Sequence, residues 1–77
     1  MSRPQKPIDE STFRGQVAAR IRARRLKLKL TGEQAAGRAD TPVQTWYHWE
    51  TGYRLPLDEL PRIAQALKTT PRKLLPE

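Results

Sequence analysis

The chain has 77 residues, which is enough for one domain with a small hydrophobic core. It contains no cysteine and a single histidine, which excludes disulfides and thiolate metal sites and argues against a histidine metal centre or a catalytic triad. Its net charge of +7 indicates a polyanionic partner, either nucleic acid or an acidic membrane surface.

The positive charge is concentrated in the first third of the chain. Residues 1–30 hold nine Lys and Arg side chains against two acidic ones, whereas residues 31–77 hold six of each. A solvated helix face would account for any one of these side chains, but it does not account for the asymmetry. No apolar run approaches the roughly 20 residues of a membrane span, and no signal-peptide pattern opens the chain, so we expect a soluble cytoplasmic protein.

Residues 1–10 contain two prolines and no apolar periodicity, which predicts a flexible basic arm. The domain itself is expected over residues 11–77. Its first helix is predicted over residues 12–29, with Lys27 and Lys29 at the end that the helix dipole favours for cations. The cap and first-turn acids are expected among Asp9, Glu10 and Ser11.

One stripe of the first helix is predicted to face the core. Arg25 falls on this stripe, four residues after Ile21, and an arginine in that position requires a partner. The apolar members of the stripe are Phe13, Val17, Ile21 and Leu28.

A second, short helix is predicted to begin at Thr31. The string "TGEQ" fits a capping box in which Gln34 reaches back to the cap residue. Asp40 tolerates the left-handed conformation that ends such a helix. The body of the helix has small side chains that would let another helix approach closely: Ala35, Ala36 and Ala39.

The third helix is predicted to follow after a tight turn, with Thr41 as cap and Pro42 at the first helical position. Gly52 is expected to end it. Helical spacing places Trp46, Trp49, Glu50 and Tyr53 on one side. The opposite side carries Val43, Gln44, Tyr47, His48 and Thr51.

A fourth helix is predicted from about Asp58 to Leu67, with Pro61 in its first turn. Thr70-Pro71 repeats the cap-and-proline pattern before a last short helix, "RKLL". The expected fold is therefore all-α, with five helices and no strand. The expected core residues are Trp46, Trp49, Ile21, Leu60, Ile63 and Leu67.

Two short helices joined by a tight turn, over about residues 31–51, make a helix-turn-helix arrangement. The second of these helices must hold to a small core by one face and leave the other face free for a DNA groove, which explains why large aromatic residues concentrate on it. The sequence resembles the lambda-repressor and Cro-type (XRE-like) helix-turn-helix proteins over roughly residues 13–75. The resemblance is carried by "IRARRLKLKLT", "GEQAA", "VQTWYHWETGYRLP" and "LPRIAQAL".

The resemblance implies a compact lambda-repressor-like DNA-binding domain with a structural ion pair. Relatives place an arginine near the end of helix one against a glutamate at the end of the recognition helix, and Arg25 and Glu50 occupy those positions. Both also lie on inward stripes. Relatives often carry a phosphate-gripping glutamine where Gly32 stands, so the bare helix terminus there is expected to bind phosphate through backbone N–H groups. Further departures from the family pattern fall at Arg24, Ala35 and Asp40.

The outward face of the third helix is expected to enter the major groove of double-stranded DNA. Gln44 is the leading base reader because its amide can bond adenine in a bidentate manner. For every candidate reader the alternative is an ordinary exposed side chain. The full set of expected base readers is Val43, Gln44, Thr45, Tyr47 and His48.

Phosphate contacts are expected from residues beside this helix and from the arm. Arg54 follows Gly52 in the loop, and Tyr53 either assists it or packs. Arg3 and Lys6 lie in the arm, which we expect to add to the attraction and to reach over the duplex. The outer face of the first helix supplies the long-range field through Arg14, Arg20, Arg22, Arg24, Lys27 and Lys29.

The resemblance implies a small Cro-like repressor in a bacterial or phage-type cytoplasm, associated with the nucleoid and acting as a homodimer. The expected self-contact is the apolar C-terminal end, although its leucines could equally be core: Leu57, Leu67, Leu74 and Leu75. The alternatives are an antitoxin that also binds a toxin protein, and an RNA-binding or adaptor protein. No enzyme motif, cofactor, metal or small-molecule ligand is evident.

Overall fold

Five α-helices make up the regular structure of residues 11–76, the part of the chain that the computed structural model describes, and these residues form no strand. This confirms the predicted all-α fold. The predicted arm, with Arg3 and Lys6, lies outside the described residues. In chain order the helices are α1 (Phe13–Lys27), α2 (Gly32–Arg38), α3 (Val43–Thr51), α4 (Leu60–Ala66) and α5 (Pro71–Leu74).

Helix α1 begins with a different cap from the one predicted. Thr12 is the N-cap residue, and its hydroxyl accepts a hydrogen bond of 3.0 Å from the backbone N–H of Gly15. Thr12 therefore takes the place of the predicted cap Ser11, and the first turn holds no acidic residue. Asp9 and Glu10, the other residues of that prediction, lie outside the described residues. A hydroxyl three residues ahead of a free backbone N–H is the geometry that an N-cap requires.

The inward stripe of α1 begins one turn later than predicted. Val17 and Ile21 are fully buried, whereas Phe13 is half exposed. Gly52, at the end of α3, lies opposite Gly15 and Ala18. Phe13 therefore extends past the part of α1 that α3 covers, and its place on the inward stripe was wrongly predicted.

Helix α2 begins with the predicted capping box. The Thr31 hydroxyl accepts from the Gln34 backbone N–H at 3.0 Å, and the Gln34 side chain accepts from the Thr31 N–H at 2.9 Å. Each bond satisfies a backbone donor that a helix start leaves free. Asp40 adopts the expected left-handed conformation, with φ 55°.

Helix α3 begins one residue later than predicted. Pro42 is extended (ψ 147°) and is itself the N-cap residue, and no side chain of the described residues caps the helix. The first helical hydrogen bond runs from the Trp46 N–H to the Pro42 carbonyl at 3.1 Å. The prediction of Thr41 as cap and Pro42 as first helical residue was therefore wrong. Gly52 ends the helix as predicted, in a left-handed conformation with φ 76°.

Helix α4 is shorter than predicted because the chain still turns at Asp58 and Glu59. The Glu59 N–H donates to the Pro56 carbonyl, and the Leu60 N–H to the Leu57 carbonyl, which are turn bonds rather than helical ones. Glu59 is the N-cap residue, and the missing N–H of a proline in the first turn is tolerated there.

The core draws buried residues from all five helices. Trp46 and Trp49 are its largest members, and their rings meet edge to face with centroids 5.7 Å apart. Edge-to-face contact is a favoured arrangement of aromatic pairs. The buried core also includes Ile21, Leu60, Ile63 and Leu67, together with Ala35, Ala36 and Ala39 from α2.

Two of the leucines predicted to mediate self-association belong to this core. Leu67 and Leu74 are buried, and Leu75 packs against the core while partly exposed. Only Leu57 remains largely exposed, at 55%. The core alternative is therefore correct for Leu67 and Leu74, which belong to the same buried cluster as the tryptophans.

The described helices include none with both the length and the apolar character needed to cross a bilayer.

Candidate nucleic-acid interface

Helix α3 has one buried face and one exposed face. Trp46, Trp49 and Glu50 are buried, with the indoles at 0% and 1% exposure. Gln44 and His48 are exposed, four residues apart and hence on one side of the helix. Because the tryptophans hold one face in the core, the polar face is presented to solvent as a continuous strip.

The buried face is fixed by a charged network centred on Glu50. The Arg25 guanidinium donates through Nε to Glu50 Oε2 and through Nη2 to Glu50 Oε1, the latter at 3.0 Å. The indole N–H of Trp46 also donates to Glu50 Oε2. The carboxylate thus ties α1 to α3 and at the same time satisfies the buried indole, so that it sets the position of the recognition helix.

Arg25 also holds the connection between α1 and α2. Its Nη1 donates to the Leu30 carbonyl at 2.8 Å, one residue ahead of the α2 cap. The hydrogen bond to Glu50 raises the pKa of Arg25, and burial opposes this rise only in part. The guanidinium therefore stays charged, and one side chain positions both helices of the helix-turn-helix.

The turn between these helices spans residues 39–42 and ends α2 with two capping bonds. The Thr41 N–H donates to the Ala36 carbonyl at 3.0 Å and the Asp40 N–H to the Gly37 carbonyl at 3.2 Å. This pair of bonds is the Schellman arrangement that follows a left-handed residue. These two hydrogen bonds hold the turn, which fixes the direction in which α3 leaves it.

The predicted base readers differ in accessibility. Gln44, Tyr47 and His48 are exposed, whereas Val43 and Thr45 are half-buried. Val43 packs against the hydrophobic core. The Val43 side chain therefore contributes in part to the core, and the base-reading role expected for it from the sequence stays a prediction.

His48 and Tyr53 form an aromatic pair on the exposed side of the α3 end. Their ring centroids lie 4.8 Å apart with an interplanar angle of 33°. Tyr53 is 70% exposed, so it does not pack in the core as its helical spacing with Trp46 suggested. The left-handed Gly52 turns the chain away before Tyr53 and so ends the helical periodicity. Arg54 follows and is exposed.

Tyr47 lies over the start of α2. A Cβ added to Gly32 would come within 3.0 Å of three atoms of the Tyr47 phenol. The phenol thus covers the Cα side of Gly32, which is buried. The sequence placed these two residues in separate roles, phosphate binding for Gly32 and base reading for Tyr47, and gave no signal of their contact. Both roles stay predictions.

Arg24 is the residue whose role the sequence analysis missed. Its Nε donates to the Leu67 carbonyl at 2.9 Å and its Nη2 to the Lys68 carbonyl at 2.8 Å. The guanidinium therefore caps the C-terminal end of α4, where a cation is favourable, and Arg24 is not simply part of an outer charged face. The remaining basic residues of α1 are exposed: Arg14, Arg20, Arg22 and Lys27.

A family model described as a helix-turn-helix domain matches residues 16–77, most of the chain. No curated protein matches this chain. The family match agrees with the geometry of α2, the four-residue turn and α3. The chain therefore belongs to the helix-turn-helix domain family, as its resemblance to XRE-like DNA-binding proteins predicted.

Proposed function

We propose that this protein is a transcriptional regulator that binds double-stranded DNA sequence-specifically through α3. The observation that carries the proposal is the division of α3 into a buried face, with Trp46 and Trp49, and an exposed polar face, with Gln44 and His48. A helix held in this way can enter the major groove while its side chains reach base edges. The helix-turn-helix family match and the net charge of +7 support the same partner.

Gln44 is the principal base reader in this proposal. It is exposed at the second position of α3, and the N-terminal residues of a recognition helix are those that contact bases. Its amide offers a donor and an acceptor to adenine. His48, one turn further on, and Thr45, half-buried beside Gln44, complete the reading surface.

Phosphate contacts in the proposed complex come from the loop after α3. Arg54 is exposed three residues beyond the end of the helix, next to the His48–Tyr53 pair. Contacts to phosphate set the register of a protein on DNA without reading sequence. The exposed cations of α1 add a field that attracts the duplex at long range.

The decisive experiment is selection of bound duplexes from a random pool by the full-length chain. The expected result is a defined motif, and Gln44→Ala should lose preference at one base position of each half-site while keeping the wild-type melting temperature. A good bidentate contact discriminates by about 1–3 kcal/mol, or roughly 5- to 150-fold in affinity.

Gln65→Ala is the matched control, because Gln65 is an exposed glutamine on α4 rather than on α3. It should leave the selected motif unchanged. Recovery of no motif by the wild-type chain would refute sequence-specific DNA binding, and equal effects of the two glutamine variants would refute the assignment of Gln44.

The finer form of the proposal is a Cro-like repressor acting as a homodimer. A nine-residue helix can read only a few base pairs, so specific binding favours two copies on half-sites about one helical turn apart. Of the four leucines predicted for self-contact, Leu57 is the one that remains largely exposed. Footprints of paired half-sites and a dimeric complex in sedimentation are expected. A single footprint with one bound chain would contradict the dimer, and co-purification of a stable toxin partner would favour the antitoxin alternative.

A further inference from the structure

Tyr47 reaches from α3 to the first residue of α2. Gly32 has no side chain, and the space in which one would stand holds the Oη, Cζ and Cε1 atoms of Tyr47, all within 3.0 Å of an ideal Cβ position. Real Cβ contacts are essentially never that short. The end of the phenol ring therefore lies in direct contact with the bare Cα of Gly32, and an alanine at position 32 would collide with it.

The contact is made where three segments of the chain meet. Arg25 of α1 donates to the Leu30 carbonyl, just ahead of the α2 cap, and also to Glu50 of α3. Tyr47 keeps 43% of its surface exposed. Its ring thus bridges α3 and the start of α2 without being part of the core.

We propose that Tyr47 is a positioning residue for DNA recognition, which sets the placement of α3 relative to α2 by packing its ring against Gly32, and that it does not read bases. Any side chain at position 32 would displace the ring from this place, because the ring occupies the space of a Cβ atom. The consequence for DNA rests on the proposed function, whereas the contact between the two residues does not.

The direction of the side chain separates this role from base reading. A base reader must extend away from the protein into the groove, and the Tyr47 ring is turned toward α2 instead. A tyrosine ring has two side-chain torsions, so fixing it costs little conformational entropy and gives a rigid spacer between helices. Gln44 and His48 are left as the exposed side chains able to enter the groove.

A thermal double-mutant cycle tests the contact without DNA. Gly32→Ala should lower the melting temperature by about 5 °C or more in the wild-type background, because the added methyl group displaces the ring. In the Tyr47→Ala background the same change should have no such effect, because the space is then empty. An equal decrease in both backgrounds would overturn the proposal.

Gly37→Ala is the control for the glycine change. Gly37 lies in the same helix with nothing within 4 Å of its Cβ position, so alanine should raise the melting temperature in both Tyr47 backgrounds. Since Tyr47 lies outside the core, Tyr47→Ala is expected to fold. If the alanine variant does not fold, Tyr47→Phe is the second variant, and it keeps the contact of the ring with Gly32.

Selection from a random duplex pool tests the role in recognition. Tyr47→Phe should keep the wild-type motif and affinity, and Tyr47→Ala should weaken binding about tenfold or less at every site, with the preferred base unchanged at each position. Loss of preference at a single position in Tyr47→Ala would identify Tyr47 as a base reader and overturn the proposal. If the wild-type chain selects no motif, the proposed function fails, and the thermal cycle still decides whether the ring holds α3 to α2.

Discussion

At the scale of single residues, Glu50 brings a negative charge into the core and is surrounded by donors. Its side chain is 4% exposed and accepts from two guanidinium nitrogens of Arg25 and from the indole of Trp46. A buried charge of this kind is costly unless it is paired and hydrogen-bonded. The network therefore specifies how α3 is oriented more than it adds net stability.

Arg25→Ala tests this network, since it leaves the Glu50 carboxylate buried and unpaired. We expect a loss of about 3–5 kcal/mol in the free energy of unfolding, measured by urea denaturation. Arg20→Ala on the exposed face of the same helix should change this value by less than about 0.5 kcal/mol. Comparable effects of the two substitutions would show that the pair is not needed for the fold.

The pH dependence of the Arg25 charge follows from the direction of its pKa. Because Glu50 raises the pKa of Arg25 in the folded state, the stability that this charge contributes is present below the unfolded pKa. It is lost only as the pH rises through the folded value, well into the alkaline range.

At the scale of elements, three helices end on left-handed residues that are not glycine. Lys29, Asp40 and Lys68 have φ between 54° and 58° and follow α1, α2 and α4. Each is followed by a Schellman pair of hydrogen bonds, for example Leu30 N–H to the Arg25 carbonyl at 3.2 Å. The left-handed conformation is unfavourable for a side chain with a Cβ, so the backbone bonds and the packing beyond each turn impose it.

Glycine at these lysines should therefore stabilise the protein. Lys29→Gly and Lys68→Gly are each expected to raise the free energy of unfolding by about 0.5–1 kcal/mol, measured by thermal or urea denaturation. Asp40→Gly should gain less, because aspartate tolerates this conformation through local hydrogen bonds. A lower free energy of unfolding for both lysine variants would mean that the lysine side chains make contacts that stabilise the protein by more than the left-handed conformation costs.

At the scale of the whole molecule, the basic side chains fall into two groups: some form hydrogen bonds inside the protein, and others are exposed on its surface. Arg24 and Arg25 are committed to internal hydrogen bonds, with α4 and Glu50 respectively. Arg14, Arg20, Arg22 and Lys27 are exposed on α1. Of the described residues, Arg38, Arg62, Arg72 and Lys73 are also exposed, on α2, α4 and α5. The field that attracts a polyanion thus comes from fewer cations than the composition suggests.

DNA affinity should fall steeply with salt because phosphate contacts release counterions. For a dimer with about eight phosphate contacts, the slope of log affinity against log salt concentration is expected near −7. Arg54→Ala should weaken binding evenly across sequences and make this slope less negative by about two, because each protomer of the dimer loses one phosphate contact. Gln65→Ala again serves as control, and a slope that does not change in Arg54→Ala would remove Arg54 from the interface.

The sequence by itself determined the helices, their order and the inward face of α3. Helical spacing places Trp46, Trp49 and Glu50 together, and a side chain's place on a helix depends only on its neighbours along the chain. The α2 capping box and the stop at Gly52 were predicted for the same reason, since both depend on residues within a few positions. The pairing of Arg25 with Glu50 was implied by the family resemblance, and the inward position of both residues on their helices agreed with it.

Tertiary structure alone decided the features that depend on distant segments. Arg24 turns to the end of α4, 43 residues away, and Phe13 is half exposed because it extends past the part of α1 that faces the end of α3. The contact of Tyr47 with Gly32 likewise joins two helices whose separation no local pattern gives. Local rules fix which way a side chain leaves its own helix, but only the packing of the helices determines what it meets.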